Sequence, residues 1–249
     1  MSEKKKGNIH DGHRERLRKQ FEQHGLDRFA DHQALELLLT YAIPRGDVNP
    51  SAHELMRHFH SFSAVLEATP EDLAEVPGVG PKAALFFHLL LQTFRRYDCD
   101  RNQTSKQLDN PSKIKQYVTP LFLGITHEVV YLLCLDSQLK VSHCEKIGEG
   151  SINSANFSIR RTVELALKRK ASSVVLAHNH PNGTIVPSAS DLITTERLIA
   201  ALSQIGVQLS DHLVVAGAQV GSLRDSGHLA VHEDKVAKRF NDSFCHTQN

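Results

Sequence analysis

The segment Leu176–Asp191, LAHNHPNGTIVPSASD, follows a short apolar run and contains two histidines, a serine and an aspartate. Histidines at positions i and i+2 point to the same side of an extended chain, so His178 and His180 can converge where a strand ends. A catalytic zinc ion takes three protein ligands and leaves a fourth position open. Asp191 is the nearest downstream carboxylate, and the intervening prolines and glycine allow the chain to turn back. The spacing therefore predicts a metal site.

A structural explanation of the same segment is also available. Ser188 and Asp191 have the spacing of a capping box, in which the serine accepts from a backbone N–H and the acid returns a hydrogen bond. An aspartate in the first turn also suits the helix dipole without any metal. Spacing and composition alone leave metal binding and helix capping as equal alternatives.

The surrounding residues predict two different kinds of structure. Apolar residues recur at helical spacing from Arg14 to about Tyr97, with short breaks, which indicates a small all-α unit. After a polar segment, apolar strands alternate with helical patterns, which indicates an α/β layer with a mixed sheet. We expect a helical domain over residues 1–100, a linker over 101–112, a second domain over 113–235 and a flexible tail over 236–249.

Composition gives few constraints on function. The chain has 249 residues, a formal net charge of +1 and four cysteines, so it carries no global signal for nucleic acid or membranes. The cysteines form no close pair, which suits a reducing compartment. No apolar run reaches the length of a membrane span, and the start has no signal-peptide core. These features predict a soluble, cytoplasmic protein that does not bind membranes.

The first nineteen residues are basic, with seven lysines and arginines against three acids. Such a cluster can contact phosphates. The alternative, which we favour, is a solvated and flexible charged tail.

Residues 73–87, LAEVPGVGPKAALFF, predict two helices joined at Gly78-Val79-Gly80. A glycine turn before a helix exposes backbone N–H groups that can bind phosphate without reading bases, and Lys82 could add a charge. The segment resembles the helix-hairpin-helix DNA-binding motif, which implies Gly78, Gly80 and Lys82 as contacts to non-specific DNA. The alternative is a tight interhelical turn with Val79 buried.

Taken together, these motifs resemble the RadC-like branch of the JAMM (MPN, or JAB-domain) metalloprotease family. His178-x-His180, seven residues, Ser188, two residues and Asp191 match the family signature at all four positions. The segments GHRERL, LELLLTYAIPRGDVNPSAHELM, VPGVGPKAA, GEGSINSA and DHLVVAG extend the resemblance over essentially the whole chain. The resemblance implies a mixed α+β fold: a helix-hairpin-helix domain followed by an α/β MPN domain whose mixed sheet is flanked by helices.

The resemblance also implies a chemistry. One Zn²⁺ per chain would be held by His178, His180 and Asp191, and would lower the pKa of its water toward ~7. The family uses an upstream glutamate as general acid and base, for which Glu128 fits best and Glu145 and Glu149 are rivals. Ser188 would donate to the tetrahedral oxyanion, a contact worth ~3–4 kcal/mol in other hydrolases. The substrate would be a peptide or protein.

Two features qualify this expectation. The family pattern usually continues with Ser-Gly-Asp after His-Pro, whereas this chain has Asn182-Gly183-Thr184, a change that bears on substrate contacts more than on metal binding. Asp211 and His212 could form a second metal pair, but neighbours on a strand face opposite sides, so we expect a structural role for at least one.

Two classes of function follow from these patterns. The first is a zinc metallopeptidase or isopeptidase-like hydrolase. The second is a DNA-associated protein of repair or recombination, with a structural or weakly active metal site. Substrate identity, activity of the isolated chain and oligomeric state do not follow from the sequence.

Overall fold

The computed structural model describes residues 9–102, 107–150, 157–181 and 183–235. The chain divides into two compact units, Met1–Phe94 and Arg95–Asn249. The lysines at positions 4–6 and the predicted tail over residues 236–249 lie outside the described residues.

The first unit is helical throughout its regular structure, as the apolar spacing predicts. Its helices are α1 Ile9–His24, α2 Asp31–Ala42, α3 Asn49–Phe59, α4 Phe62–Glu67, α5 Pro70–Ala74 and α6 Pro81–Asn102, the last of which continues past the end of the unit. Leu35, Leu39, Leu55 and Phe87 are fully buried in one apolar cluster. Short helices of this kind are stabilised mainly by such packing, because isolated helices of their length are marginal in water.

The basic amino-terminal segment is a packed helix from Ile9 onward, so the favoured interpretation as a flexible tail was wrong for this part. Leu17 is buried, and Arg14, a residue that is 8% exposed, donates through its guanidinium to the carbonyl oxygens of Thr40, Ile43 and Gly46. These three carbonyls lie at and beyond the end of α2, where the last turn of a helix leaves carbonyl groups without helical partners. Arg14 is therefore occupied by the protein and is not available to a phosphate.

The turn between α5 and α6 depends on Gly78. Its φ of +82° lies in the left-handed region, and a Cβ added there would lie 2.1 Å from Ser51 Oγ. Gly80 has no such constraint, since nothing lies within 4 Å of a Cβ added at that position. Between them Val79 is buried, at 1% exposure, and packs into the helical core.

We predict that Gly78→Ala destabilises the protein by about 2 kcal/mol or more, because the left-handed conformation and the clash with Ser51 both oppose a Cβ. Gly80→Ala should change stability by less than about 0.5 kcal/mol. Urea denaturation followed by circular dichroism measures both. Equal effects of the two substitutions would contradict this account of the turn.

The second unit contains a mixed sheet of five strands with helices on both sides. Its elements are α7 Pro111–Val118, a 3-10 helix Thr119–Phe122, β1 Val129–Leu135, β2 Val141–Glu149, α8 Ile159–Lys168, β3 Ser173–Asn179, α9 Ala189–Ser203, β4 Gln208–Ala216 and β5 Gln219–Ser222. The strand order is β2-β1-β3-β4-β5. Among the strands of the described residues, only β3 and β4 pair in parallel, and the other neighbours are antiparallel. This confirms the predicted fold class.

The two faces of the sheet have separate cores. Val130, Leu132, Val174 and Leu176 face α8 and α9. The alternate residues, such as Val129, Leu133 and Val175, face α7 and the 3-10 helix. Because side chains alternate along a strand, the even-numbered residues at the ends of β1 and β3 lie on the α9 side.

The predicted linker over residues 101–112 differs from the structure at both ends. Arg101 and Asn102 are helical, Gln107 pairs with Lys140, and Leu108 is buried in the core beside α7. Residues 103–106 lie outside the described part of the chain. Because the segment is mostly polar, its composition gave no sign that Leu108 is buried in the core of the second unit.

Among the helices of the described ranges, none combines the length and the apolar character needed to cross a membrane.

Candidate metal centre

His178 and His180 lie at the carboxyl end of β3. His178 is 2% exposed and His180 follows the last strand residue by one position, with its side chain 17% exposed. Their Nε2 atoms are 3.0 Å apart. The i, i+2 spacing thus places both rings on the α9 side of the sheet, as the alternation of an extended chain requires.

Asp191 reaches the same point from the first turn of α9. The capping box is present in full: Ser188 Oγ accepts from the Asp191 N–H, and Asp191 Oδ2 accepts from the Ser188 N–H at 2.7 Å. Asp191 Oδ1 lies 3.4 Å from His178 Nε2, and Oδ2 lies 3.4 Å from His180 Nε2. The capping geometry and the ligand position are therefore compatible, because the same carboxylate serves both.

The spacing of these three groups fits a metal ion. His178 Nε2 and His180 Nε2 are 3.0 Å apart, and they lie 3.4 Å from Asp191 Oδ1 and Oδ2 respectively. Zinc bonds of about 2.0–2.1 Å to nitrogen and oxygen place tetrahedral ligands about 3.3–3.4 Å apart. The separations are close to that value, and one ligand atom from each residue lies within 4.8 Å of the others, so the cluster is compatible with a zinc site.

Hydrogen bonding on the far side of His180 directs its lone pair toward the centre. Its Nδ1 is 2.9 Å from the carbonyl oxygen of Thr184, which can only accept, so Nδ1 carries the proton. The neutral ring then presents an unprotonated Nε2 to His178 and Asp191. Gly183 allows this loop to approach, because a Cβ there would lie 2.8 Å from the His180 Cβ.

A buried chain of hydrogen bonds does the same for His178. The Thr195 hydroxyl donates to the Asp191 carbonyl oxygen at 2.6 Å, so its oxygen accepts from His212 Nδ1, also at 2.6 Å. His212 Nε2 then accepts from His178 Nδ1 at 2.9 Å. The Nε2 of His178 is left unprotonated and faces His180. Three acceptor atoms this close repel one another unless a cation or a proton lies between them.

The neighbouring pKa values describe the case without a cation, in which His178 itself is the hydrogen-bond donor and the charge that faces Asp191. Burial opposes the charge on Asp191, but hydrogen bonds and charge from His178, together with hydrogen bonds from Ser188, outweigh it and hold the pKa of the carboxyl well below its usual range. Burial, reinforced by the charge of His178, lowers the pKa of His212 well below its ordinary value. His212 is therefore neutral near pH 7, as an acceptor at Nε2 must be.

Glu128 lines a cleft with His180, whereas its two rivals pair with other side chains. Glu128 is half-buried and lines a cleft of about 490 Å³ together with His127, His180 and Gly183. Glu145 instead pairs with His143 at 2.9 Å and with Arg161 at 3.0 Å. Glu149 pairs with Lys146. Of the three glutamates, Glu128 is the one that lines this cleft.

Comparison with known proteins identifies the family. Residues 108–228 match the RadC-like JAB domain, and residues 61–85 match the helix-hairpin-helix motif. UPF0758 protein HEAR2468 of Herminiimonas arsenicoxydans is 33% identical over 86% of this chain and 96% of its own length. UPF0758 protein IL0240 of Idiomarina loihiensis is 34% identical over the same shares, and a UPF0758 protein of Paraburkholderia phytofirmans is 35% identical over 86% of this chain and 81% of its own.

The chain belongs to the RadC family. The resemblance given by the His-x-His and Ser-x-x-Asp spacing is thereby confirmed for the family and for the fold. The departure of this RadC-family chain from the family pattern at positions 182–184 leaves the three candidate ligands in place for a physical reason. His180 donates to the backbone carbonyl of Thr184, a group that any residue at that position supplies. The absence of a side chain at Gly183 leaves room for the loop beside His180. Asn182 lies outside the described residues.

Ser188 has an exposed hydroxyl that is engaged with Asp191. The Ser188 Oγ–H donates to Asp191 Oδ2 at 2.7 Å, and Ser190 Oγ lies 2.8 Å away. In this geometry the serine orients the carboxylate. To donate to an oxyanion, as the family resemblance implies, the hydroxyl would rotate away from Asp191 while the backbone N–H keeps its own hydrogen bond to Oδ2.

Asp211 and His212 face opposite sides of β4. Asp211 accepts hydrogen bonds from Ser222 Oγ and from the Arg224 N–H, and burial raises the pKa of its carboxyl. His212 points toward the metal centre, although sequence reasoning gave it no part there. The signal was present in the family segment DHLVVAG, but linking it to His178 requires the pairing of β3 with β4, which spacing along the chain does not provide.

The helix-hairpin-helix of this RadC-family chain presents the predicted residues at its surface. Gly78, Gly80 and Lys82 are exposed, and Lys82 lies in the first turn of α6. Val79 is buried, as the alternative interpretation requires, so the turn has a packing role in addition to any contact it makes. The residues just before it, in and after α5, include Glu71, Asp72 and Glu75, all exposed.

We predict that Thr195→Val weakens zinc binding by about tenfold or more, because valine cannot accept from His212 and the hydrogen-bond chain that orients His178 is lost. A competition titration against a chromophoric chelator measures the affinity. Thr162→Val is the matched control, since Thr162 is also buried and its hydroxyl also bonds to a carbonyl one turn back, that of Ser158. Equal zinc affinities of the two variants would contradict the role of the chain.

Proposed function

We propose that this protein is a zinc-dependent hydrolase of peptide or isopeptide bonds. The observation that carries the proposal is the convergence of His178, His180 and Asp191 beside an open cleft: the two Nε2 atoms are 3.0 Å apart, and each lies 3.4 Å from a different oxygen of Asp191. His178, His180 and Asp191 would hold the ion. Zinc in such a site supplies a water that is acidic enough to act as a nucleophile near neutral pH, and it polarises the substrate carbonyl.

Glu128 is the proposed proton carrier. It lines the cleft with His180, and its position one residue before β1 directs its side chain to the α9 side of the sheet, where His178 lies. When water adds to the carbonyl carbon, the carboxylate takes the proton that the water gives up. The same proton goes to the nitrogen as the C–N bond breaks, so the amine leaves neutral and Glu128 returns to its ionised form.

Ser188 is the proposed donor to the developing oxyanion. Its hydroxyl is exposed at the start of α9 and belongs to a capping box that fixes its backbone. The proposal supposes that substrate draws this hydroxyl from Asp191 Oδ2, which retains the hydrogen bond from the Ser188 N–H. A donor placed in advance costs little reorganisation when charge develops.

We predict that His178→Ala abolishes zinc binding, because the ion loses one of three protein ligands, whereas Glu128→Gln retains zinc and loses at least about 100-fold in turnover. Metal analysis of purified, reduced protein and turnover on a panel of peptide and isopeptide substrates measure the two effects. Glu145→Gln is the matched control, because Glu145 pairs with His143 and Arg161 and does not line the cleft.

A wild-type protein that binds no zinc at neutral pH would refute the hydrolase proposal. Full turnover by Glu128→Gln would refute Glu128 as the proton carrier but would not contradict zinc binding by His178, His180 and Asp191.

A second candidate function is non-specific DNA binding by the first unit. It is favoured by the match of residues 61–85 to the helix-hairpin-helix motif and by the exposure of the glycine turn and Lys82. Backbone N–H groups at such a turn can bind phosphate. The exposed acids Glu71, Asp72 and Glu75 lie close by in the sequence and oppose this, so we expect weak binding with a strong dependence on salt.

If this hairpin binds DNA, Lys82→Ala should weaken binding to duplexes of unrelated sequence equally and reduce the salt slope by about one counterion. Fluorescence anisotropy at several salt concentrations measures both. Lys168→Ala, which removes an exposed lysine of α8, is the control. Binding that responds equally to both variants would assign the affinity to net charge and not to the hairpin.

A further inference from the structure

β1 and β3 separate at the metal centre. The last residues paired between them are Val130 and His178, whereas β3 stays paired with β4 beyond this point, where the His180 N–H donates to Val215 O at 2.8 Å. Pro181 follows and has no N–H to offer. The residues just before β1, including Glu128, therefore have no main-chain partner on β3, and the cleft opens here.

The side chain of Asn179 replaces the missing main-chain partner. Its Oδ1 accepts from the Val129 N–H at 2.7 Å, and its Nδ2 donates to the His127 carbonyl oxygen at 3.0 Å. Asn179 is 4% exposed. A side-chain amide offers the same acceptor and donor as a peptide group, so Asn179 extends the ladder between β1 and β3 by two hydrogen bonds.

These two hydrogen bonds flank Glu128. The Glu128 carbonyl oxygen is held separately, because it accepts from the Gly150 N–H at 2.8 Å on the β2 side. The main chain of residues 127–129 is thus fixed from both neighbouring strands, which leaves the Glu128 side chain to enter the cleft that it shares with His180.

We propose that Asn179 is the positioning residue for Glu128: it fixes the distance between the general base and the ligands on either side of it in the sequence, His178 and His180. The inference rests on the proposed function of Glu128. Asn179 itself lies between the two ligands, but the alternation of the strand directs its side chain away from the face that carries them. It acts through Glu128 and not through the metal.

Other side chains cannot make this pair of contacts. Alanine would leave a buried N–H and a carbonyl oxygen without partners. Aspartate could accept from the Val129 N–H, but its second oxygen would face the His127 carbonyl oxygen, and two acceptors repel. The combination of one donor and one acceptor requires an amide of this length.

The test compares Asn179→Ala with Asn110→Ala in the full, zinc-loaded chain. Asn110 also makes two side-chain hydrogen bonds, accepting from the Lys113 N–H at the start of α7 and donating to Asp109. Both variants should lose some thermal stability and keep one zinc per chain, because no ligand is changed. Only Asn179→Ala should speed hydrogen exchange of the Val129 amide, by about tenfold or more.

Kinetics separate positioning from general stability. Asn179→Ala should lower kcat by about 100-fold at unchanged KM, because a displacement of about 1 Å in a reacting group costs that much. In a Glu128→Gln background, Asn179→Ala should have no further effect on the residual rate, since the group that it positions is already inactive. Asn110→Ala should leave kcat unchanged in both backgrounds.

Unchanged exchange at Val129, or an equal loss of kcat with and without Glu128, would overturn the proposal. Failure of the hydrolase proposal is recognised independently. A wild-type chain without zinc or turnover contradicts that proposal, and the exchange measurement then decides alone whether Asn179 holds the Glu128 segment.

Discussion

The close approach of three side chains is the constraint on which the candidate site of the second unit depends: the Nε2 atoms of His178 and His180 lie 3.0 Å apart, and each lies 3.4 Å from a different oxygen of Asp191. Each is held there by a hydrogen bond on its far side. Thr184 O fixes His180, His212 Nε2 fixes His178, and the Ser188 backbone fixes Asp191. Hydrogen bonds of this kind determine the tautomer of each ring and the orientation of the carboxylate. The sheet, the loop after β3 and the first turn of α9 each supply one of the three supports.

Burial makes this arrangement demanding. Moving a carboxylate out of water costs several kcal/mol unless charge and hydrogen bonds compensate it. Asp191 is 3% exposed, and its compensation comes from two hydrogen bonds of Ser188 and from the neighbouring His178. The capping box therefore has two effects, since it starts α9 and stabilises the charge on Asp191. Helix capping and metal binding, which the sequence posed as alternatives, are compatible with each other.

Local patterns in the sequence predicted the parts of the structure that depend on neighbours along the chain. The spacing of His178 and His180, the capping box of Ser188 and Asp191, and the glycine turn at Gly78 each follow from strand, helix or turn geometry. The parts that were missed depend on contacts between segments that are distant along the chain. His212 reaches His178 only because β4 pairs with β3, with a register irregularity between Val174 and Val175. Asn179 can hydrogen-bond to the main chain of His127 and Val129 because β1 and β3 separate beside it. The sequence suggested that Arg14 is solvated, because its carbonyl partners in α2 and in the segment after α2 are distant along the chain.

X-ray absorption at the zinc edge of the purified, reduced protein tests the central claim most directly. The account predicts one zinc per chain, bound by nitrogen and oxygen at about 2.0–2.1 Å, with the scattering of two imidazole rings and no sulfur. Zinc–sulfur scattering at about 2.3 Å would contradict it, because the three acceptors that converge at the end of β3 include no cysteine.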